Sequence, residues 1–184
     1  MRNLKLTKNF KLFEFTGEGK NQVIVRNTSF QLWLINKIAN DIMQPIRDEF
    51  GPIKITSGIR DCKNWCRLDK AGYKPSKTTD HSYGIPEVNQ FGVGACDFLP
   101  YKKWDYWVIY NFIRKNLNFG QVIIYLSDEK DNYRPRFIHV SNPYELVYGK
   151  KMVEYKFLTK IPELIQQGNK YHLYNREIFE KFSG

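Results

Sequence analysis

Cysteine is scarce in this sequence. The 184 residues include three, Cys62, Cys66 and Cys96, too few for a disulfide-stapled scaffold, and the odd number favours a reducing compartment. No apolar run approaches the roughly 18 residues that cross a bilayer, which excludes an integral membrane protein. The opening Met1–Phe10 carries charge and has neither an uninterrupted apolar stretch nor a small-residue cleavage site, so no cleaved secretory signal is expected. Internal repeats, low-complexity tracts and Pro/Gly/Ser linkers are missing too. A chain of this length is therefore expected to form one domain, with at most a small appendage. Acids are in deficit: 19 Asp+Glu stand against 29 Lys+Arg, a net charge of +10. That excess favours an anionic partner, nucleic acid being the first to consider, yet no nucleic-acid motif accompanies it. Apolar and aromatic side chains are plentiful, at 42% and 16% of residues, which rules out a disordered polymer.

The apolar pattern predicts a helix over 30–50, with Leu34, Ile35, Ile38, Ile42 and Ile46 near a 3.6-residue period and Thr28 or Ser29 at its start. Pro45 is expected to kink or restart its last turn. Short strands are expected at Ile53–Thr56, Ala95–Leu99, Val122–Leu126 and Phe137–Ser141, with an aromatic-rich helix over 102–116. Its stripe of Trp104, Tyr106, Trp107, Tyr110 and Phe112 is expected to pack on a sheet rather than stack on bases. Residues 70–93 hold Gly72, Pro75, Gly84, Pro86 and Gly92 without periodicity, and read as a long loop of the kind that carries function. A hairpin over Tyr144–Phe157 turning at Gly149-Lys150, then helical pieces near Pro162–Gln167 and Asn175–Phe182, close the chain. Helices and strands mix without βαβ alternation, so the class is α+β.

Histidine is as rare as cysteine: His81 in the long loop, His139 in an apolar strand, and His172 in a polar stretch that reads as surface. Two imidazoles and the carboxylate of Asp97, brought from separate elements, compose a three-ligand zinc site with a position left for water. By spacing alone the signal is weak, since a loop histidine such as His81 is usually solvated and a strand histidine such as His139 is more often a hydrogen-bonded core residue. Cys62 and Cys66 are four apart and share a helix face if 61–68 is helical, as small packing residues. Cys96 precedes Asp97 directly, and neighbours in a strand point to opposite faces.

Four ordered segments carry more. Leu6-Thr7-Lys8-Asn9-Phe10-Lys11-Leu12-Phe13-Glu14-Phe15, the stretch from Gln44-Pro45-Ile46-Arg47-Asp48 to Ile55-Thr56-Ser57-Gly58-Ile59-Arg60, then Thr79-Asp80-His81-Ser82-Tyr83-Gly84 with Ala95-Cys96-Asp97-Phe98, and finally Phe119-Gly120-Gln121-Val122-Ile123 with Phe137-Ile138-His139-Val140-Ser141 resemble motifs of the zinc peptidases of metallopeptidase family fifteen. That family contains D-alanyl-D-alanine carboxypeptidases, dipeptidases and phage endolysins, and the resemblance is to its phage-type subfamily. It covers residues 4–142. It implies a small antiparallel sheet flanked by helices, the D-Ala-D-Ala peptidase or hedgehog-like zinc fold, over 1–142; residues 143–184, outside the resemblance, are expected as a C-terminal extension packed on the core, as part of the same domain or as a small appendage. It implies Zn2+ held by His81, Asp97 and His139, and Arg60 holding substrate or the developing oxyanion. Ser57, Tyr83 and Arg136 join Arg60 as expected substrate contacts, and Thr79 and Asp80 are expected to order the His81 loop.

The sequence departs from the family twice. His81 and Asp97 stand sixteen residues apart, wider than in the family, with Ile85–Val93 as an insertion; loop closure costs rise only slowly with length, so the ligands can still meet. The family's general base, an acid three residues before the last histidine, is Arg136 here, which accepts no proton. Asp128, Glu129 and Asp131 in a following loop, and Glu87 in the insertion, are the remaining base candidates. The expected function is zinc-dependent hydrolysis of peptidoglycan peptides by a phage-encoded protein. The alternative is a catalytically impaired relative serving as a virion structural or wall-binding component, since a lost general base costs about 10²–10⁴ in rate. The expected partners are bacterial peptidoglycan and other virion proteins, with synthesis in the cytoplasm of a bacterial host and action at the wall or in a phage particle. The positive charge then serves the anionic wall rather than nucleic acid.

Overall fold

A helix that runs into a proline loses a hydrogen bond and meets a clash one turn back, and this chain solves both problems by widening. The computed structural model of the protein describes residues 4–17, 22–25, 28–76, 78–102, 106–127, 133–150, 163–167 and 170–173, with 177 and 180. After a short helix α1 (Leu12–Thr16), the helix expected over 30–50 appears as α2 (Thr28–Ile38), a π-helical turn at Ala39–Met43, and α3 (Gln44–Phe50) with Pro45 in its first turn. A π turn carries one extra residue per turn, so the proline, which has no N–H, starts a new segment instead of interrupting an old one. Leu34, Ile35, Ile38, Ile42, Met43 and Ile46 are all fully buried along this broken rod.

Strand β1 (Ile53–Ser57) follows, then α4 (Cys62–Lys70), capped by the Asp61 carboxylate accepting from the Asn64 N–H at 2.8 Å. The long loop contains a 3-10 turn at Asp80–Ser82 and a one-turn helix α5 (Pro86–Asn89). Next come β2 (Ala95–Pro100), α6 (Tyr106–Asn116), β3 (Val122–Leu126), β4 (Pro135–Ser141), β5 (Glu163–Gln167) and β6 (Lys170–Leu173). The strands form one six-stranded sheet in the order β1-β2-β4-β3-β5-β6, and helices flank it in a mixed α+β arrangement.

The sheet is not wholly antiparallel as expected, because β5 runs parallel to β3. Parallel neighbours need a crossover rather than a tight turn, and the chain between β4 and β5 supplies the length. Residues 145–150 are helical where a hairpin arm was expected, and 151–157 lie outside the described residues. The segment expected as a helix at 162–167 is strand β5. Leu164 and Ile165 are adjacent and both buried, as on a strand covered on two faces. Most of 175–182 lies outside the described residues.

Side chains alternate across the sheet. Cys96, Phe98, Val122, Ile124, Leu126, Ile138, Val140 and Ile165 point to one face and join Leu34, Ile38, Ile42 and the α6 residues Ile109, Tyr110 and Ile113 in the core. Burial of each large apolar side chain stabilises by about 1.5–3 kcal/mol. The aromatic stripe of α6 is part of that packing, with Trp107 and Phe112 against the same cluster; Trp104 lies outside the described residues. The opposite face of the sheet carries Asp97 and His139.

Candidate metal centre

Three elements converge on the second face. Asp97 on β2 and His139 on β4 are directly paired across the ladder, so their side chains rise side by side. His81 arrives from the 3-10 turn, whose start is capped by Thr79 Oγ1 accepting the His81 N–H at 3.2 Å. His139 Nδ1 lies 2.8 Å from Asp97 Oδ1, His81 Nε2 lies 3.1 Å from that same oxygen, and the two ring nitrogens are 3.2 Å apart. Donors held at 2.0–2.1 Å from a tetrahedral ion are separated by roughly 3.3 Å. All three residues are buried, and together they could hold a metal ion. They also satisfy the geometry of salt bridges among themselves.

Proton positions strengthen the fit. His81 Nδ1 donates to the Gly58 carbonyl at 2.7 Å, so in the neutral ring Nε2 presents a lone pair inward. Burial first, and the Arg60 charge next, hold the His81 pKa below its ordinary value and keep the ring neutral. Burial opposes the Asp97 charge, but the adjacent His81 and His139 imidazoles outweigh it and hold the carboxyl well below the usual range. His81 Nε2 and an Asp97 carboxylate oxygen face each other at 3.1 Å, both available as donor atoms to one metal ion.

The second carboxylate oxygen is spoken for. Arg60 Nη2 donates to Asp97 Oδ2 at 2.7 Å and Arg60 Nε donates to Ser57 Oγ at 2.9 Å. Thr56 Oγ1 donates to the Asp97 carbonyl at 3.1 Å, and the Arg60 N–H to the His81 carbonyl at 2.7 Å. Arg60, expected to meet substrate, is thus bound to a candidate ligand, and Ser57 serves Arg60. Tyr83 is corrected from substrate contact to core: it is fully buried and its hydroxyl donates to the Ala95 carbonyl at 3.0 Å. Arg136 is exposed, and it sits at a register shift opposite Tyr125 and Leu126, a bulge that turns it out of the ladder. Asp128, Glu129 and Asp131 lie outside the described residues. Glu87 is exposed in the first turn of α5. Cys96 packs in the core on the face opposite Asp97, and Cys62 and Cys66 are exposed and not joined in a disulfide. His172 is half-buried on β6 across from Ile165, not a surface residue, because β6 joins the sheet.

The insertion leaves the three candidate ligands together because its base is stapled. The Gly94 N–H donates to the Asp80 carbonyl at 2.9 Å and Asn142 Nδ2 to the Val93 carbonyl at 2.9 Å. Gly94 has φ of +91° and a Cβ there would stand 2.7 Å from the Tyr83 ring, so only glycine fits. Asp80 Oδ2 accepts from the Tyr144 hydroxyl at 2.9 Å, which ties the loop to the segment after β4. Sequence reasoning missed Gly58 as the His81 partner; the signal lay in the Thr56–Arg60 motif, where a Cβ at Gly58 would collide with the Phe15 carbonyl.

Comparison with protein-family models, with curated proteins and with solved structures returns no match for this chain.

Proposed function

We propose that His81, Asp97 and His139 hold a zinc ion and that the protein is a zinc-dependent peptidase acting on peptidoglycan peptides. One observation carries this reading: the three donors that the motif resemblance singles out, from a loop and two strands up to 58 positions apart, meet within hydrogen-bonding distance in a buried group. Two imidazoles and a carboxylate form a donor set that suits catalytic zinc. When bound, zinc supplies a Lewis acid and a water activated toward an amide carbonyl. The chain's own residues prepare for it: Gly58 orients the His81 ring, and Arg60 holds one carboxylate oxygen so that the other faces the imidazoles. A surface of net charge +10 suits the anionic bacterial wall, the site of action in this reading for a phage-encoded protein.

The test is release of peptides from purified cell walls by the zinc-loaded protein, abolished in His139→Ala. The second reading, a metal-binding but catalytically impaired wall-binding or virion component, is favoured by a specific observation. Among the described residues, the only group of His, Cys, Asp or Glu close enough to share a metal is the three-ligand set itself, and the expected base position carries the exposed Arg136. Stoichiometric zinc without wall hydrolysis over a broad pH range selects that reading.

A further inference from the structure

Strand β1 stands at one end of the sheet and pairs with β2 alone, so its outer edge is open among the described residues. The ladder tells which backbone groups lie along that edge. The Tyr101 N–H donates to the Pro52 carbonyl at 3.3 Å, and antiparallel pairs alternate between those that exchange hydrogen bonds and those that do not. Lys54 and Leu99 are therefore a bonded pair, whereas Ile53 and Ile55, opposite Pro100 and Phe98, turn their N–H and C=O groups outward. No other described segment bonds to those groups. A groove of about 780 Å³ runs beside them, lined by Ile53, Lys54 and Ile55 of β1, Phe13 and Glu14 of α1, and Arg47 of α3. Side chains alternate in direction along a strand, so consecutive residues share one groove where the strand's edge forms its floor.

Charge selects the occupant. Glu14 Oε1 accepts from the Lys11 N–H at 2.8 Å, and Asp48, next to Arg47, is held by Lys8 at 2.7 Å. Lys54 is exposed and makes no ion pair among the described residues, and the Arg47 guanidinium lies over the Phe10 ring, 5.7 Å from its centroid. A second copy pairing about the middle of β1 sets Lys54 against Lys54, and like charges directly opposite destabilise a ladder. Lysine on an edge strand guards against that self-pairing and leaves the edge open to an acid.

We infer that the β1 edge is a docking site for an extended acidic segment of a partner protein, added antiparallel as one more strand. Ile53 and Ile55 exchange backbone bonds with the segment, and Lys54 falls in the pair between them, where facing Cα atoms stand about 4.5 Å apart. The segment sets Asp or Glu opposite Lys54 and an apolar residue on either side, opposite Ile53 and Ile55. This inference is independent of the metal and of any hydrolysis.

The test follows the fluorescence anisotropy of a labelled, capped peptide, Ser-Val-Glu-Val-Ser, as the full chain is added. The expected result is saturable binding to the wild type, weakened at least about fivefold in Lys54→Glu and regained in that variant by the peptide with lysine in place of glutamate. N-methylation of both valines, whose N–H groups face the edge, is expected to abolish binding, and N-methylation of the glutamate to leave it. Ile55→Pro, which takes one outward N–H from an edge strand that tolerates proline, is expected to lose the peptide as well. A wild type that does not bind the peptide, a Lys54→Glu variant that binds it equally, or tolerance of the methylated valines overturns the proposal. So does concentration-dependent dimerisation of the wild type that Ile55→Pro abolishes, which gives the edge to a second copy.

Discussion

Arg60 sits between two roles that its chemistry allows. A guanidinium in a peptidase site can meet substrate, but here it is spent on Asp97 Oδ2 and Ser57, so it aims a candidate ligand. Residues behind metal ligands typically contribute 10–100-fold to metal affinity. Arg60→Ala is therefore expected to weaken zinc binding by about that factor, measured by competition with a chromophoric chelator, while Arg60→Lys recovers only part because lysine lacks the fork. Gly58→Ala tests the neighbouring support: its Cβ would run into the Phe15 carbonyl, and the crowding is expected to cost about 1–3 kcal/mol, read as a lower urea midpoint at unchanged slope. Acid acts on the same cluster. The His81 pKa is depressed in the folded chain by burial and then by Arg60, so the unfolded chain takes up its proton first. The stability of the metal-free protein is accordingly full above the ordinary histidine value of 6.5 and falls as pH drops from there toward the folded value. Asp97, depressed from 3.8, adds a second loss as pH drops below that value and through its folded one. Urea midpoints of the metal-free chain between pH 8 and pH 3 are expected to decline in that order; a flat profile from pH 7 to pH 5 contradicts the assignment of a neutral buried His81.

At the scale of elements, one buried side chain ties three of them. Asn142, just past β4, donates from Nδ2 to the Leu34 carbonyl of α2 at 3.0 Å and to the Val93 carbonyl at the end of the insertion at 2.9 Å. Asn142→Ala removes both bonds and is expected to cost about 1–3 kcal/mol, with faster amide exchange in the insertion than in the sheet centre. Elements defined by their own residues were legible: the 3.6-residue period of α2 and α3, the proline that divides them, and β3, whose Val122–Leu126 bounds follow its apolar run. The grouping of His81, Asp97 and His139 was legible because histidine is rare and each candidate stood in a distinctive motif. Contacts between distant segments were not. Nothing local in Glu163–Gln167 announces that it pairs with β3 some 40 residues earlier, because five residues with only Leu164 and Ile165 apolar have no period to read and the partner decides their conformation. The bond from Arg60 to Asp97, 37 positions away, was hidden for the same reason.

For the molecule as a whole, β5 covers an edge that would otherwise be open. β3 carries Val122, Ile124 and Leu126, and without β5 its outer edge is an apolar strand with unpaired backbone groups, the type of edge that recruits other chains. A chain truncated after residue 150 is expected to bind zinc poorly and to aggregate at concentrations where the full chain stays dispersed, as followed by light scattering. The core and the metal face lie on opposite sides of one sheet, so the helices can hold the strands in register while the ligands remain at the other surface. The claim on which the functional account depends is that this face holds one metal ion through His81, Asp97 and His139. Elemental analysis of the purified protein after zinc loading and desalting tests it most directly. The account predicts one zinc per chain, lost in His81→Ala and in His139→Ala variants that still fold; a folded wild-type chain that retains no zinc, or a His81→Ala variant that retains it fully, contradicts it.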